Sequence, residues 1–149
     1  MTGIKQIWKM ALLTVALAMM AMAQPNVAYT VSGTITATVA TGACTQSGTG
    51  CVVMPVNSQV QTVTWQAAYP VPSIATLSFE GTVDGVNWYA VAVSPPGSAA
   101  ATRLTTAAGA GIWYMNASGL SFVRVRCSSY TSGSIAITGK RSSAVALVD

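Results

Sequence analysis

The sequence predicts an all-β protein, a single antiparallel β-sandwich of the Ig-like or jelly-roll type with about seven to nine short strands. Three observations predict it. Short alternating runs rich in Val, Thr, Ile and Tyr recur along the chain, with Gly, Pro, Ser and Asn between them. No apolar stripe with helical spacing follows residue 24. Charged residues make up 7% of the 149-residue chain, so its polar surface must consist mainly of hydroxyl and amide groups, which is unlike a charge-rich cytosolic enzyme.

The first 23 residues have the three-part pattern of a secretory signal. Lys5 and Lys9 precede the apolar run 11–23, which ends in "AMA" before Gln24. The run is shorter than the roughly 20 apolar residues that span a bilayer. We therefore predict a signal helix in residues 1–23, cleaved after Ala23, and a β-sandwich domain in residues 24–149. The mature chain is expected to be exported, to the periplasm, the medium or a particle surface, and to contain no membrane span.

The strands are expected where alternation is clearest. In the first half these segments are 26–40, 51–56, 58–69, 74–83 and 87–93. Residues 94–102 are too poor in large apolar side chains to enter a core, so they are expected to form a loop. The second half adds strands at 111–116, 120–130 and 134–140.

The basic residues are interpreted as scattered solubilising charges. Arg124 and Arg126 share one face of strand 120–130, Lys140 ends the next strand, and Arg141 follows it. The formal net charge is +4, and there is no basic run that could follow a phosphate backbone. Nucleic acid is therefore not an expected partner.

Three cysteines leave the disulfide pairing open. Cys44 and Cys51 bracket the polar loop "TQSGTG", and a bridge between them would close that loop. Either of them could instead pair with Cys127, or the odd cysteine could form an intermolecular bridge. There is no CxxC and no His, so a zinc site is not predicted.

Residues 78–91, "SFEGTVDGVNWYAV", are interpreted as a β-hairpin. Asp84 and Gly85 fit the two central positions of a type I′ turn, which Asn87 would steady with its side chain. Trp88 would begin the returning strand and pair with Phe79 or Leu77 across the hairpin. Glu80 then remains as an exposed strand residue that is free to meet a partner.

The sequence does not favour catalysis, and no cofactor or metal is predicted. There are only three acids, and Asp84 in a turn lacks the buried setting of a catalytic carboxyl. The absence of His removes the usual base for a Ser nucleophile. A calcium ion at "DGVN" is the weak alternative, because only Asp84 and Asn87 would supply side-chain oxygens.

Aromatic residues supply the candidate ligand contacts. Adjacent aromatics in a strand point to opposite faces of the sheet, so one ring of each pair should be buried and the other accessible. The candidates are Tyr89, Trp113, Tyr114 and Tyr130.

Two segments resemble a known family. "LSFEGTVDGVNWYAV" and "GIWYMNASGLSFVRVRCSSYTSGSIAIT" resemble small β-sandwich modules of tailed-phage and prophage structural proteins, over about residues 58–140. The "DGxxW" hairpin is also similar, more weakly, to discoidin-type sugar-binding jelly rolls. The phage resemblance implies a decoration or fibre module without enzymatic activity. The signal-like segment departs from virion proteins, which assemble in the cytoplasm, and favours an exported relative.

The leading hypothesis is a non-enzymatic, exported structural or display module of a phage-like virion or extracellular assembly. Its expected partners are other proteins or further copies of itself. The alternative is a carbohydrate- or receptor-binding β-sandwich module that contacts its ligand through an exposed Trp or Tyr.

Overall fold

The predicted all-β fold is confirmed by the structure, a computed structural model that describes residues 29–69, 73–98 and 102–143. Within these residues the chain forms ten strands and one short 3-10 turn, Thr41–Ala43. The strands are β1 (Thr30–Ile35), β2 (Cys51–Pro55), β3 (Thr62–Ala68), β4 (Ile74–Thr82), β5 (Tyr89–Ala90), β6 (Val93–Ser94), β7 (Thr106–Ala107), β8 (Gly111–Asn116), β9 (Phe122–Ser132) and β10 (Ile135–Ser142). The predicted signal segment and its cleavage point lie outside the described residues.

The strands form two antiparallel sheets. The first sheet has the order β1-β10-β3-β8-β6, and the second has the order β2-β9-β4-β5. Strand β7 also pairs with β4. The strand count exceeds the expected range because β5, β6 and β7 are only two residues long. Such short pairings are set by the neighbouring strands and leave no alternation of their own in the sequence.

The core lies between the sheets because alternate residues of each strand face inward. In β3, Val63, Trp65 and Ala67 are buried, and in β9, Val123 and Val125 are buried. The remaining buried apolar residues come mainly from the other long strands, including Ile35, Val52, Met54, Leu77, Phe79, Trp113, Met115, Ile135 and Ile137.

The large Trp65 side chain fits because a glycine lies opposite it. Gly139 of β10 is the register partner of Trp65 in β3. A Cβ atom at position 139 would lie 2.4 Å from Cζ3 of the indole. The glycine therefore leaves the space that the tryptophan ring occupies.

Candidate functional site

The loop after β4 is ordered by Asp84. Its Oδ1 accepts hydrogen bonds from the Thr82 hydroxyl and from the backbone N–H groups of Val86 and Asn87, at 2.8 Å each. Its Oδ2 accepts one from Nδ2 of Asn87 at 2.7 Å. The loop 83–88 is thus built around one carboxylate, as is typical of Asp at a turn.

The predicted type I′ turn is wrong in its detail. Gly85 has a positive φ of 76°, but no non-glycine residue among those described does, so Asp84 lacks the conformation that this turn requires. The last pairs of the hairpin are Glu80 with Ala90 and Gly81 with Tyr89, which leaves a longer loop between the strands. The side-chain bonds of Asp84 hold this loop in place of a tight backbone turn.

The same hydrogen bonds argue against calcium at "DGVN". Four protons point at the Asp84 carboxylate, from the two backbone amides, the Asn87 amide and the Thr82 hydroxyl. These donors, led by the Asn87 side chain, hold the pKa of Asp84 well below its usual range. The described residues contain no cluster of three or more His, Cys, Asp or Glu that could hold a metal ion.

The outer face of the second sheet carries a buried ionic cluster, which we call the arginine–glutamate cluster: Glu80, Arg124 and Arg126. Glu80 Oε2 contacts Nε and Nη2 of Arg124 at 2.6 Å each. Glu80 Oε1 accepts hydrogen bonds from Nε and Nη2 of Arg126, at 2.9 and 2.6 Å. Each carboxylate oxygen therefore binds one guanidinium group, a charge-assisted arrangement.

These three residues correct two sequence-based expectations. Glu80 is only 5% exposed and Arg124 is fully buried, and the Arg126 side chain is 12% exposed. Glu80 is therefore not a free surface residue, and the two arginines are not solubilising charges. The register explains the cluster, because Glu80 lies opposite Arg124 and Ser78 lies opposite Arg126 in the β4–β9 pairing.

A segment that follows β1 covers the cluster. Arg124 donates from Nη1 to the carbonyl oxygen of Cys44 and from Nη2 to that of Thr41, the second at 2.8 Å. Arg126 donates from Nη1 to the carbonyl oxygen of Val39 at 3.0 Å. We call residues 36–50 the covering segment. Its carbonyl groups satisfy guanidinium protons that Glu80 does not bind, so little of the desolvated charge lacks a partner.

A disulfide fastens the covering segment to the second sheet. Of the pairings that the sequence left open, the structure has Cys44–Cys51, and Cys51 is the first residue of β2. The hydroxyl of Ser47, within the bridged loop, accepts a hydrogen bond from Val53 N and donates one to Val53 O. The bridge and Ser47 together tie the loop to the outer side of β2.

Cys127 is the free thiol. It is buried, and its side chain lies in the core between the sheets. Burial raises the pKa of this thiol, which keeps it protonated and unreactive at neutral pH.

Trp88 contacts the cluster instead of the predicted Phe79 or Leu77. The guanidinium carbon of Arg124 lies 3.9 Å from the centroid of the Trp88 ring, a cation–π contact. Phe79 faces the core, where its ring is 5.2 Å from that of Trp113. Trp88 and Phe79 thus lie on opposite faces of the second sheet, which the sequence did not reveal because the loop between β4 and β5 is longer than expected.

The candidate aromatic contacts divide by burial. Tyr89 is 71% exposed, as expected for a contact residue, whereas Trp113 is 6% exposed and belongs to the core. Tyr114 is half-buried on the outer face of the first sheet. Tyr130 is also half-buried, and its hydroxyl donates to the carbonyl oxygen of Gly133. Burial therefore removes Trp113 from the candidates, and Tyr89 remains the most accessible ring.

The two carboxylates of the described residues, Glu80 and Asp84, accept hydrogen bonds that shape the protein. A carboxylate that acts as an acid, base or nucleophile needs an oxygen free to reach a substrate. The fold and the cluster define an all-β sandwich module in which Glu80, Asp84, Arg124 and Arg126 hold the protein's own structure together.

Two solved structures share this fold. The SPBc2 prophage-derived protein YomS matches with a TM-score of 0.54 and 13% identity, over 78% of this chain and 96% of that protein. The PBSX exported protein XepA matches with a TM-score of 0.57 and 14% identity, over 79% of this chain. The match spans 39% of the XepA chain. The resemblance to prophage β-modules is therefore confirmed at the level of the fold.

Comparison by sequence finds no match. No protein-family model matches the chain, and no curated protein does. Among the described residues, no helix is both long and apolar enough to cross a membrane.

Proposed function

We propose that this chain is a non-enzymatic, exported structural or display module of a phage-associated particle or extracellular assembly. The proposal depends mainly on one observation: both carboxylates in the described part of the chain form hydrogen bonds within the protein. Glu80 binds two arginines, and Asp84 orders its own loop. A chain that commits its scarce acids to internal contacts is suited to rigidity rather than to acid–base chemistry.

The fold likeness supports the association with phage. One similar structure is named as prophage-derived and the other as an exported protein. Export of this chain agrees with the signal pattern in residues 1–23 and with a disulfide between Cys44 and Cys51, since such bonds persist in oxidising compartments. N-terminal sequencing of material secreted by an expressing host tests the export. We expect Gln24 as the first residue, and a chain that retains Met1 would contradict it.

One observation favours the carbohydrate- or receptor-binding alternative. Tyr89 presents 71% of its surface to solvent beside the ordered loop 83–88, and exposed rings are common contacts for sugars and proteins. The alternative predicts saturable glycan binding that Tyr89→Ala abolishes. Val86→Ala is the matched control, because Val86 is 73% exposed in the adjacent loop.

Sedimentation and glycan-array measurements on the exported protein separate the two functions. The module hypothesis predicts self-association or co-sedimentation with particles, with no glycan bound. If the protein stays monomeric, does not co-sediment with particles and binds a glycan through Tyr89, the module hypothesis is wrong and the alternative is supported.

A further inference from the structure

Three of the four sheet edges are closed or short among the described residues, and the fourth is open. In the first sheet, the free side of β6 is occupied by Leu104, which exchanges two backbone hydrogen bonds with Val93. In the second sheet, Ser47 binds Val53 on the outer side of β2, and β5 and β7 have two residues each. Strand β1, at the other edge of the first sheet, has six residues and no described strand beside it.

The register shows which groups of β1 point outward. Arg141 N donates to Tyr29 O, so the Tyr29–Arg141 pair is hydrogen-bonded. Hydrogen-bonded pairs alternate along an antiparallel ladder. Residues 31, 33 and 35 therefore bind β10, while Thr30, Ser32 and Thr34 direct their N–H and C=O groups to the open edge. The side chains of these three residues are exposed on the outer face of the first sheet.

The sequence of β1 contains none of the usual edge protection. Natural sheets discourage edge pairing with Lys, Pro, bulges, very short strands or covering loops. The segment "TVSGTI" has no charge and no proline, and it pairs with β10 without a register shift. Within the described ranges, covering loops and shortness protect the other sheet edges, so the open edge at β1 is the exception.

We propose that β1 pairs antiparallel with β1 of a second copy, so that the first sheets of two molecules form one continuous sheet. The pairing has its two-fold axis at Ser32, which places Thr30 opposite Thr34 of the other copy. All three outward-facing residues of each strand are then used, which gives about six backbone hydrogen bonds. This inference rests on the proposed function, because it names the contact through which the module would associate.

A second copy fits this edge because the pairing is self-complementary. Even-numbered residues of β1 pair with even-numbered residues of the other copy, and odd with odd, so no side chain changes face. The residues on the outer face remain Thr30, Ser32 and Thr34, and those on the core face remain Val31, Gly33 and Ile35. Threonine pairs across strands are favourable. No like charges lie directly opposite each other in β1, which is uncharged.

A cysteine at the two-fold axis tests the geometry on the exported protein. In Ser32→Cys the two Cα atoms would be about 5.5 Å apart, within the reach of a disulfide. The matched control is Thr138→Cys, because Thr138 is exposed and lies beside Ser32 on the neighbouring strand. Its two copies would be about 14 Å apart, three strand spacings, which is beyond that reach.

We expect mild oxidation to convert Ser32→Cys to a covalent dimer and to leave Thr138→Cys monomeric, with a 32–32 linkage in the peptide map. The unmodified chain gives the background, since its free Cys127 is buried. Equal cross-linking of the two variants, or none in either, would overturn the proposal.

A charge at the same position gives a second test that needs no covalent bond. Ser32→Lys would place like charges directly opposite each other and should raise the dimer dissociation constant about threefold to fivefold, whereas Thr138→Lys should leave it unchanged. If the unmodified protein associates but neither Ser32 variant affects or reports that association, the β1 contact is wrong while the proposed function stands. If the unmodified protein shows no association with itself or with particles, the proposed function is wrong, and the β1 contact that rests on it is wrong as well.

Discussion

Replacement of Glu80 by Gln tests whether the arginine–glutamate cluster holds the protein together. The substitution keeps the shape of the side chain and removes its charge. In the native protein the carboxylate makes four contacts of 2.6–2.9 Å with the two guanidinium groups. In the variant Arg124 and Arg126 would remain buried without a counter-ion, and an amide N–H₂ would face guanidinium donors.

The expected cost follows from the burial of the partners. Loss of one partner of a buried ion pair costs about 3–5 kcal/mol. Arg124 is fully buried, but the Arg126 side chain is 12% exposed and can be partly hydrated. Three carbonyl groups of the covering segment also remain as acceptors. We therefore expect the lower end of the range, a loss of about 3 kcal/mol in the free energy of unfolding and of about 10 °C in Tm.

Urea unfolding followed by circular dichroism measures this loss. Lys140→Gln is the control, because it also removes one charge but at an exposed site, and it should change stability by less than about 0.5 kcal/mol. A loss below about 1 kcal/mol in Glu80→Gln, with an unchanged spectrum, would refute the reasoning. It would mean that the covering segment alone satisfies the arginines.

Three further changes test other parts of the structure. Replacement of Cys44 and Cys51 by Ser opens a short loop and should cost about 2 kcal/mol in urea unfolding, with faster amide exchange in the covering segment. Asp84→Asn should destabilise the protein above pH about 4, because the hydrogen bonds that lower the pKa of Asp84 in the folded state stabilise only its ionised form. The effect should shrink as the pH falls further and Asp84 becomes protonated. Unfolding curves at pH 2–7 measure the difference in stability, and a pH-independent difference would contradict the prediction. Gly133→Ala should cost about 2 kcal/mol of stability, because Gly133 has a φ of 91° and the added Cβ would lie 2.2 Å from Ser73 Oγ. The control is Gly109→Ala, where the added Cβ would have nothing within 4 Å, and it should be nearly neutral in thermal unfolding.

The sequence predicted the sandwich because the inward-facing residues of the long strands alternate with polar ones. In β3, Val63, Trp65 and Ala67 are buried while the polar residues Thr64 and Gln66 lie between them, a pattern of period two that needs no knowledge of the partner strand. The pairing partners and the sheet order could not be predicted from this pattern, because they depend on contacts between segments far apart in the chain. Strand β3, for example, lies between β8 and β10.

Alternation alone does not reveal the buried cluster, because it marks Glu80, Arg124 and Arg126 as outward-facing without showing that another segment covers them. The outer face of the second sheet is covered by residues 36–50, which the sequence shows only as a polar stretch around two cysteines. One signal was available. In a chain with only three acids, a glutamate in one strand and two arginines at alternate positions of another suggest a cross-strand ion pair.

The scarcity of charge constrains how this protein can recognise a partner. Among the described residues, Glu80, Asp84, Arg124 and Arg126 are committed to internal contacts, and Arg141 lies over the Tyr29 ring and donates to Pro55 O. Arg103 and Lys140 are exposed, which is too little to steer a partner by electrostatic attraction. Backbone groups, hydroxyl-bearing side chains and exposed apolar side chains such as Val83 and Val86 are the remaining means of specific contact among the described residues, and β1 presents the first two along one uninterrupted edge. Association should therefore depend weakly on salt. A dissociation constant that rises steeply between 50 and 500 mM NaCl would show instead that ionic contacts dominate.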